Sequence, residues 1–302
     1  MTGRWLGRAA TDEKAAERRL GLWLCAPAAL IMLLVTGWPI LYSLLLSLQR
    51  YDLRFPRDRE WIGLANYGAV LTDGFWWNAF WVTVLVTVVS VAIELVLGML
   101  LALAMYRTLV WRGAMRTLVL IPYGIVTVVA AYGWRYAWTP ETGWLAGMLP
   151  EGSAPLTERA PALAIIILAE VWKTTPFMAL LLMAGLAVVP GDLLQAASMD
   201  GATAWQRFFL VTLPLMRPAI LVALLFRTLD AFRIFDDIYV LTNGAADTSS
   251  VSLIAYHNLI GGLNLGIGST MSVLVFLTVA AVAFAFIRGF GISTPGTQGG
   301  RG

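Results

Sequence analysis

A single cysteine, Cys25, and a single histidine, His257, occur among the 302 residues. One thiol excludes a disulfide framework and a Cys-based metal site, and one imidazole leaves no His cluster for metal or acid–base work. Charge is scarce as well: 13% of residues are Asp, Glu, Lys or Arg, against roughly 25% in a soluble domain. No Gly-x-x-x-x-Gly-Lys-Ser/Thr segment is present, so any nucleotide that drives this protein must bind to another chain. The net charge of +3 is informative by its placement rather than as a nucleic-acid footprint, and no nucleic-acid partner is expected. Apolar residues, by contrast, make up 59% of the chain, and mean hydropathy is +0.76. The class that remains is a membrane protein.

Leu20 to Gln49 carries no charged residue, more than the roughly 20 residues that a helix needs to cross a bilayer. Six membrane helices are predicted, at approximately 20–48, 77–105, 115–137, 161–187, 217–241 and 265–287. The positive charges then fall unevenly. Arg4, Arg8, Lys14, Arg18, Arg19, Arg107, Arg112, Arg116, Arg207, Arg217, Arg288 and Arg301 lie on one side. Only Arg50, Arg54, Arg57, Arg59, Arg135 and Arg159 lie on the other. The positive-inside rule therefore puts both termini in the cytoplasm. Residues 1–19 read as a cytoplasmic tail, 20–292 as one six-helix membrane domain embedded in lipid, and 293–302 as a Gly-rich disordered tail.

One segment interrupts this pattern. Gln195 to Pro218, QAASMDGATAWQRFFLVTLPLMRP, is polar and turn-containing between two apolar runs. Its backbone groups would be unsatisfied in lipid, so it must face water or another protein, and the charge count places it in the cytoplasm. The order of residues predicts a short amphipathic helix, a turn at Asp200 and Gly201, and a second helix with Phe208 inward. Leu213-Pro214 is then expected to break into the next span. This stretch resembles the coupling ("EAA") loop of ABC import permeases. Ala196, Ala197, Asp200, Gly201, Ala202, Phe208, Leu213, Pro214 and Pro218 match that pattern in register, and Gln195 departs from it where the family carries Glu. Trp61 to Tyr67 resembles a segment found after the first helix of sugar-type permeases. Residues 120–129 and 225–236 are similar to the trehalose-importing branch of the maltose-type family.

The resemblance implies an all-α type I ABC importer permease in a bacterial inner membrane, with the coupling loop at 188–217. It implies these partners: a second homologous permease, two copies of an ABC ATPase that hold ATP and Mg, and an extracytoplasmic sugar-binding lipoprotein. This chain would hold no cofactor and catalyse no bond-making. The implied cargo is trehalose, with another sugar or a glycerol-phosphate compound as the alternative. Gln195, Ala196, Ala197, Asp200, Gly201, Ala202, Phe208 and Pro214 would then contact the ATPase. Gln195 bears no charge and cannot form the family's ion pair there.

Ionisable groups within spans are expensive and point to function. Glu170, Lys173, Thr174 and Phe177 fall on one stripe of the fourth predicted helix at 100° per residue. Arg227, Asp230, Ala231 and Ile234 share a face of the fifth, with Arg233, Asp236 and Asp237 nearby. Together they suggest a water-filled path able to carry a hydroxyl-rich sugar. By resemblance, the same eight positions are those that contact sugar in the maltose-type permease, although their residue types differ. Structural ion pairing is the competing reading: Arg227 and Asp230 are three residues apart, and Arg233 is three and four residues from Asp236 and Asp237. Glu94, isolated in the second helix, reads as a hydrogen-bonded acid facing another helix, with proton coupling as its sharper interpretation. An ion-driven transporter or a membrane enzyme would need more than the sequence supplies, since one His and scattered acids form no catalytic cluster.

Overall fold

The computed structural model describes residues 20–21, 23–107, 112–150 and 152–290. The tails expected at 1–19 and 293–302 lie outside these residues. The chain is helical nearly throughout, as backbone in hydrocarbon must be when no barrel closes it. Helix α1 (Trp23–Ser47) exposes almost all of its apolar surface and touches the rest of the chain mainly along α11 (Leu265–Phe290). After α1, strands β1 (Gln49–Arg50) and β2 (Glu60–Trp61) pair antiparallel, and the short helix α2 (Ala65–Thr72) follows. Asn66 explains why the chain turns here. Its buried amide donates to the carbonyls of Ser47 (2.9 Å) and Gln49 (2.8 Å), which satisfies acceptors left open where α1 ends.

The centre of the molecule is the packing of α3 (Gly74–Arg107) along α6 (Arg159–Ala187). Lipid is as apolar as Leu, so close van der Waals packing rather than water exclusion must hold such helices together. Small residues allow it. A Cβ added to Gly98 of α3 would sit 2.8 Å from Met178 Cγ and 3.2 Å from the Ala179 backbone nitrogen of α6. One apolar core joins Val82 and Val86 to Ile166 and Ile238. A second, nearer the 188–217 end, joins Met99 and Ala102 to Met178, Leu182 and Met216.

Two of the predicted spans are interrupted. Within the third predicted span, 115–137, α4 (Arg112–Gly124) and α5 (Thr127–Ala137) meet at an angle of 84°. The break follows Pro122 and Gly124, the residues least suited to helix continuation. Among the described residues, five helices are therefore long and apolar enough to cross a membrane, or six when this bent pair is counted as one span. The predicted fifth span, 217–241, likewise divides at residues 232–235, between α8 (residues 204–231) and α9 (Asp236–Leu241).

Leu213-Pro214 does not break the chain as expected. Helix α8, residues 204–231, runs from Ala204–Arg207 through a π-helical turn at Phe208–Thr212 into Leu213–Ala231. Pro214 has no N–H to donate to the preceding turn, and a π-bulge just ahead of it absorbs the mismatch without ending the helix. Helices α7 (Gly191–Met199) and α10 (Val251–Gly261) complete the chain.

A Gly98→Leu substitution should force α3 and α6 apart and destabilise the fold by about 1–3 kcal/mol. Gly37→Leu, on α1 with open space around it, should leave stability unchanged. Thermal unfolding in detergent compares the two, and equal midpoints would contradict this packing.

Candidate functional site: a cavity between two broken spans

Both helix breaks open onto one cavity of about 540 Å³. Tyr123, Ile125, Val126 and Thr127 line it from the α4–α5 elbow, and Glu170, Lys173 and Thr174 from α6. Asp230, Arg233, Ile234, Phe235, Asp236 and Asp237 line it from the α8–α9 break. Irregular backbone at membrane depth is tolerated where it borders a cavity or finds protein partners, and this chain supplies both. The buried Lys173 ammonium donates to the Ile125 carbonyl at 2.7 Å, and a cation at the C-terminal end of α4 also suits the helix dipole. Arg135 of α5 donates to the Val240 carbonyl at 3.0 Å, near the end of α9.

Behind the cavity wall lies an ion network centred on Arg227, which is fully buried. Its Nε donates to Glu94 Oε2 at 2.5 Å, and its Nη2 reaches Glu94 Oε1 and Thr174 Oγ1, each at 3.0 Å. Nη2 also donates to Glu170, and Nη1 to Asp230 Oδ2 at 2.8 Å. The Thr174 hydroxyl lies 2.8 Å from Glu94 Oε1 and 2.6 Å from the Glu170 carbonyl. Glu94 from α3, Glu170 and Thr174 from α6, and Arg227 and Asp230 from α8 are thereby tied together. An unpaired charge at this depth would cost several kcal/mol; here every nitrogen of the guanidinium has a partner.

The eight residues expected to line a path are thus divided. Glu170, Lys173, Thr174, Asp230 and Ile234 share the cavity. Arg227 stands behind it, and Ala231 is buried in the core. Phe177 is half-buried and stacks on Tyr123 (ring centroids 5.2 Å apart), itself a lining residue. The i,i+3 pair Arg227–Asp230 forms. Among the described residues Arg233 makes no ion pair, so its expected pairing with Asp236 or Asp237 is not seen. Glu94 does face another helix, as read from the sequence, but its partner Arg227 lies 133 residues away and spacing could not reveal it. Tyr123, Ile125 and Thr127 were missed, and the Pro122–Gly124 pair was the signal available for them.

The segment 195–218 has the local geometry that its residues call for. Helix α7 ends in a Schellman cap: Gly201, at φ +81°, donates to the Ser198 carbonyl (3.1 Å), and Ala202 donates to Ala197 (3.0 Å). Helix α8 begins with a capping box. Thr203 Oγ accepts from Gln206 N at 3.3 Å, and Gln206 Oε1 accepts from Thr203 N at 2.8 Å. Gln195, Ala196, Asp200 and Gly201 are exposed, while Ala197 and Ala202 are half-buried. Phe208 packs against the second core, as expected. Met199 and Trp205 project outward, 88% and 72% exposed.

A helical membrane chain with broken spans around a polar cavity and a capped, exposed two-helix segment defines a permease. The chain belongs to the family described as "Binding-protein-dependent transport system inner membrane component", whose pattern covers residues 94–291. It is 60% identical, over 95% of its length and 94% of the relative's, to the trehalose transport system permease protein SugA of Mycobacterium tuberculosis (strain ATCC 25618 / H37Rv). It is 39% identical to the trehalose/maltose transport system permease protein MalF of Thermococcus litoralis, over 91% and 95% of the two chains. The fold matches a chain of a bacterial alginate ABC transporter solved with an alginate pentasaccharide-bound periplasmic protein. The TM-score is 0.78, at 20% identity, over 93% of this chain and 98% of that one. The family read from residues 195–218 is therefore borne out.

Gly201→Ala, which forces a Cβ into the left-handed conformation, should cost about 1–2 kcal/mol, and Gly201→Pro or Asp200→Arg should stop ATP-driven transport. Uptake at the wild-type rate by Gly201→Pro would remove this segment from the coupling machinery.

Proposed function

We propose that the chain is the permease subunit of an ATP-driven importer of a neutral disaccharide, trehalose first among the candidates. It forms half of the translocation path beside a second, homologous permease. Two ATPase copies bind ATP and Mg, and one of them docks on the segment that carries Gln195, Ala196, Ala197, Asp200, Gly201, Ala202, Phe208 and Pro214. An external sugar-binding lipoprotein delivers the cargo. The excess of Lys and Arg on the side of the 195–218 segment supports cytoplasmic termini. The chain itself moves cargo and makes no bond.

One observation carries the choice of cargo. Four carboxylates, Glu170, Asp230, Asp236 and Asp237, line the cavity against two cations, Lys173 and Arg233. The Lys173 ammonium is already turned onto the Ile125 carbonyl. A wall rich in acceptors suits hydroxyl donors, while a phosphate or carboxylate cargo would meet like charge in a site of low dielectric. Tyr123 and Phe235 add the flat apolar faces that a pyranose ring packs against. The names of the relatives SugA and MalF point to the same class of cargo, whereas the glycerol-phosphate alternative suits the wall poorly.

Uptake of labelled trehalose, maltose and glycerol 3-phosphate by cells lacking the chain, with and without its restoration, tests this reading. Trehalose uptake should disappear and return with the gene, and glycerol 3-phosphate uptake should not respond. Chain-dependent uptake of the phosphate compound alone would overturn it.

A further inference from the structure

Glu94 takes no part in the cavity wall, yet its carboxylate is wholly buried among α3, α6 and α8. Its two oxygens receive Arg227 side-on, through Nε at 2.5 Å and Nη2 at 3.0 Å. Such a two-point contact fixes the plane of a guanidinium as well as its position. With that plane fixed, the remaining donors point at Glu170 and Asp230, both of which line the cavity. Arg227 itself is 0% exposed and is not part of the cavity lining. Asp230 gives one oxygen to Arg227, and its side chain is otherwise 68% exposed. The buried pair thus sets where the acceptors of the wall stand.

We propose that Glu94 is a positioning residue for cargo recognition: through Arg227 it holds the carboxylates of Glu170 and Asp230 in the orientation that accepts sugar hydroxyls. This rests on the reading of the cavity as a sugar site. Glutamine at position 94 keeps the volume but supplies one acceptor oxygen and an NH₂ group that opposes the guanidinium donors. Arg227 then loses its second anchor and can tilt, and the two wall carboxylates tilt with it. Aspartate keeps the charge on a shorter stem and should recover part of the function.

The experiment uses the complete complex, this permease with its second permease, ATPase subunits and binding protein, reconstituted in liposomes. Labelled trehalose uptake and ATP hydrolysis are measured together at saturating loaded binding protein. Glu94→Gln should lower sugar moved per ATP about tenfold, the scale of a lost charge-assisted hydrogen bond, with hydrolysis within about twofold of wild type. Glu94→Asp should fall between. A proportional loss of uptake and hydrolysis would make Glu94 a packing residue and overturn the proposal, as would an unchanged ratio.

Should Glu94→Gln prevent assembly, the paired variant Glu94→Leu with Arg227→Met decides, since apolar replacement of a buried ion pair is often tolerated. An assembled pair that hydrolyses ATP without moving sugar supports positioning, and one that transports normally overturns it. Absence of trehalose uptake by the wild-type complex, with another sugar carried, would count against the choice of cargo and not against the role of Glu94.

Discussion

A guanidinium without any solvent contact at membrane depth is stable only if its donors are matched, and Arg227 is matched by Glu94, Glu170, Asp230 and Thr174. Those partners come from three different helices, α3, α6 and α8. Removal of Arg227 would strand the buried carboxylates of Glu94 and Glu170 in a medium that penalises them by several kcal/mol. The network therefore specifies the register of these helices, whereas the apolar cores around it constrain mainly their separation. Gly98 brings α3 close enough to α6 for Glu94 to reach across.

With that register set, the two broken spans fall at one level. The elbow at 125–126 and the unwound residues 232–235 face each other across the cavity, and polar side chains, not lipid, satisfy the freed backbone. Lys173 closes the end of α4, and Ser250 Oγ donates to the Ile234 carbonyl within the second break at 2.9 Å. The same arrangement explains the cavity's character. Of its two cations Lys173 is occupied in holding backbone, and of its four acids Glu170 and Asp230 are oriented by Arg227 while still lining the wall. Under the proposed function, a preference for hydroxyl-rich, uncharged cargo would follow from how the breaks are held.

Much of this was legible in the residues. Alternating apolar runs and positive charge placed the spans, and the helical period put Glu170, Lys173 and Thr174 on one stripe that does reach the cavity. The 195–218 segment announced its turn through Asp200-Gly201 and its second helix with Phe208 inward, whereas the Thr203–Gln206 capping box emerged only from the structure. Three things were not legible. Residues 232–235 are Phe-Arg-Ile-Phe, which carry no helix-breaking signal, so the break there comes from tertiary packing. The π-turn before Pro214 replaced an expected break because helix geometry can absorb a missing donor. The partnership of Glu94 with Arg227 joins positions too distant in sequence for any periodicity to connect.

The most direct test is a cryo-electron microscopy map of the assembled complex trapped with sugar in the membrane domain. Density for the cargo should lie between the α4–α5 elbow and the 232–235 break, within hydrogen-bonding reach of Glu170 and Asp230, with Arg227 still enclosed behind them. Sugar held elsewhere, or in direct contact with Arg227 freed from Glu94, would contradict the role assigned to the buried network.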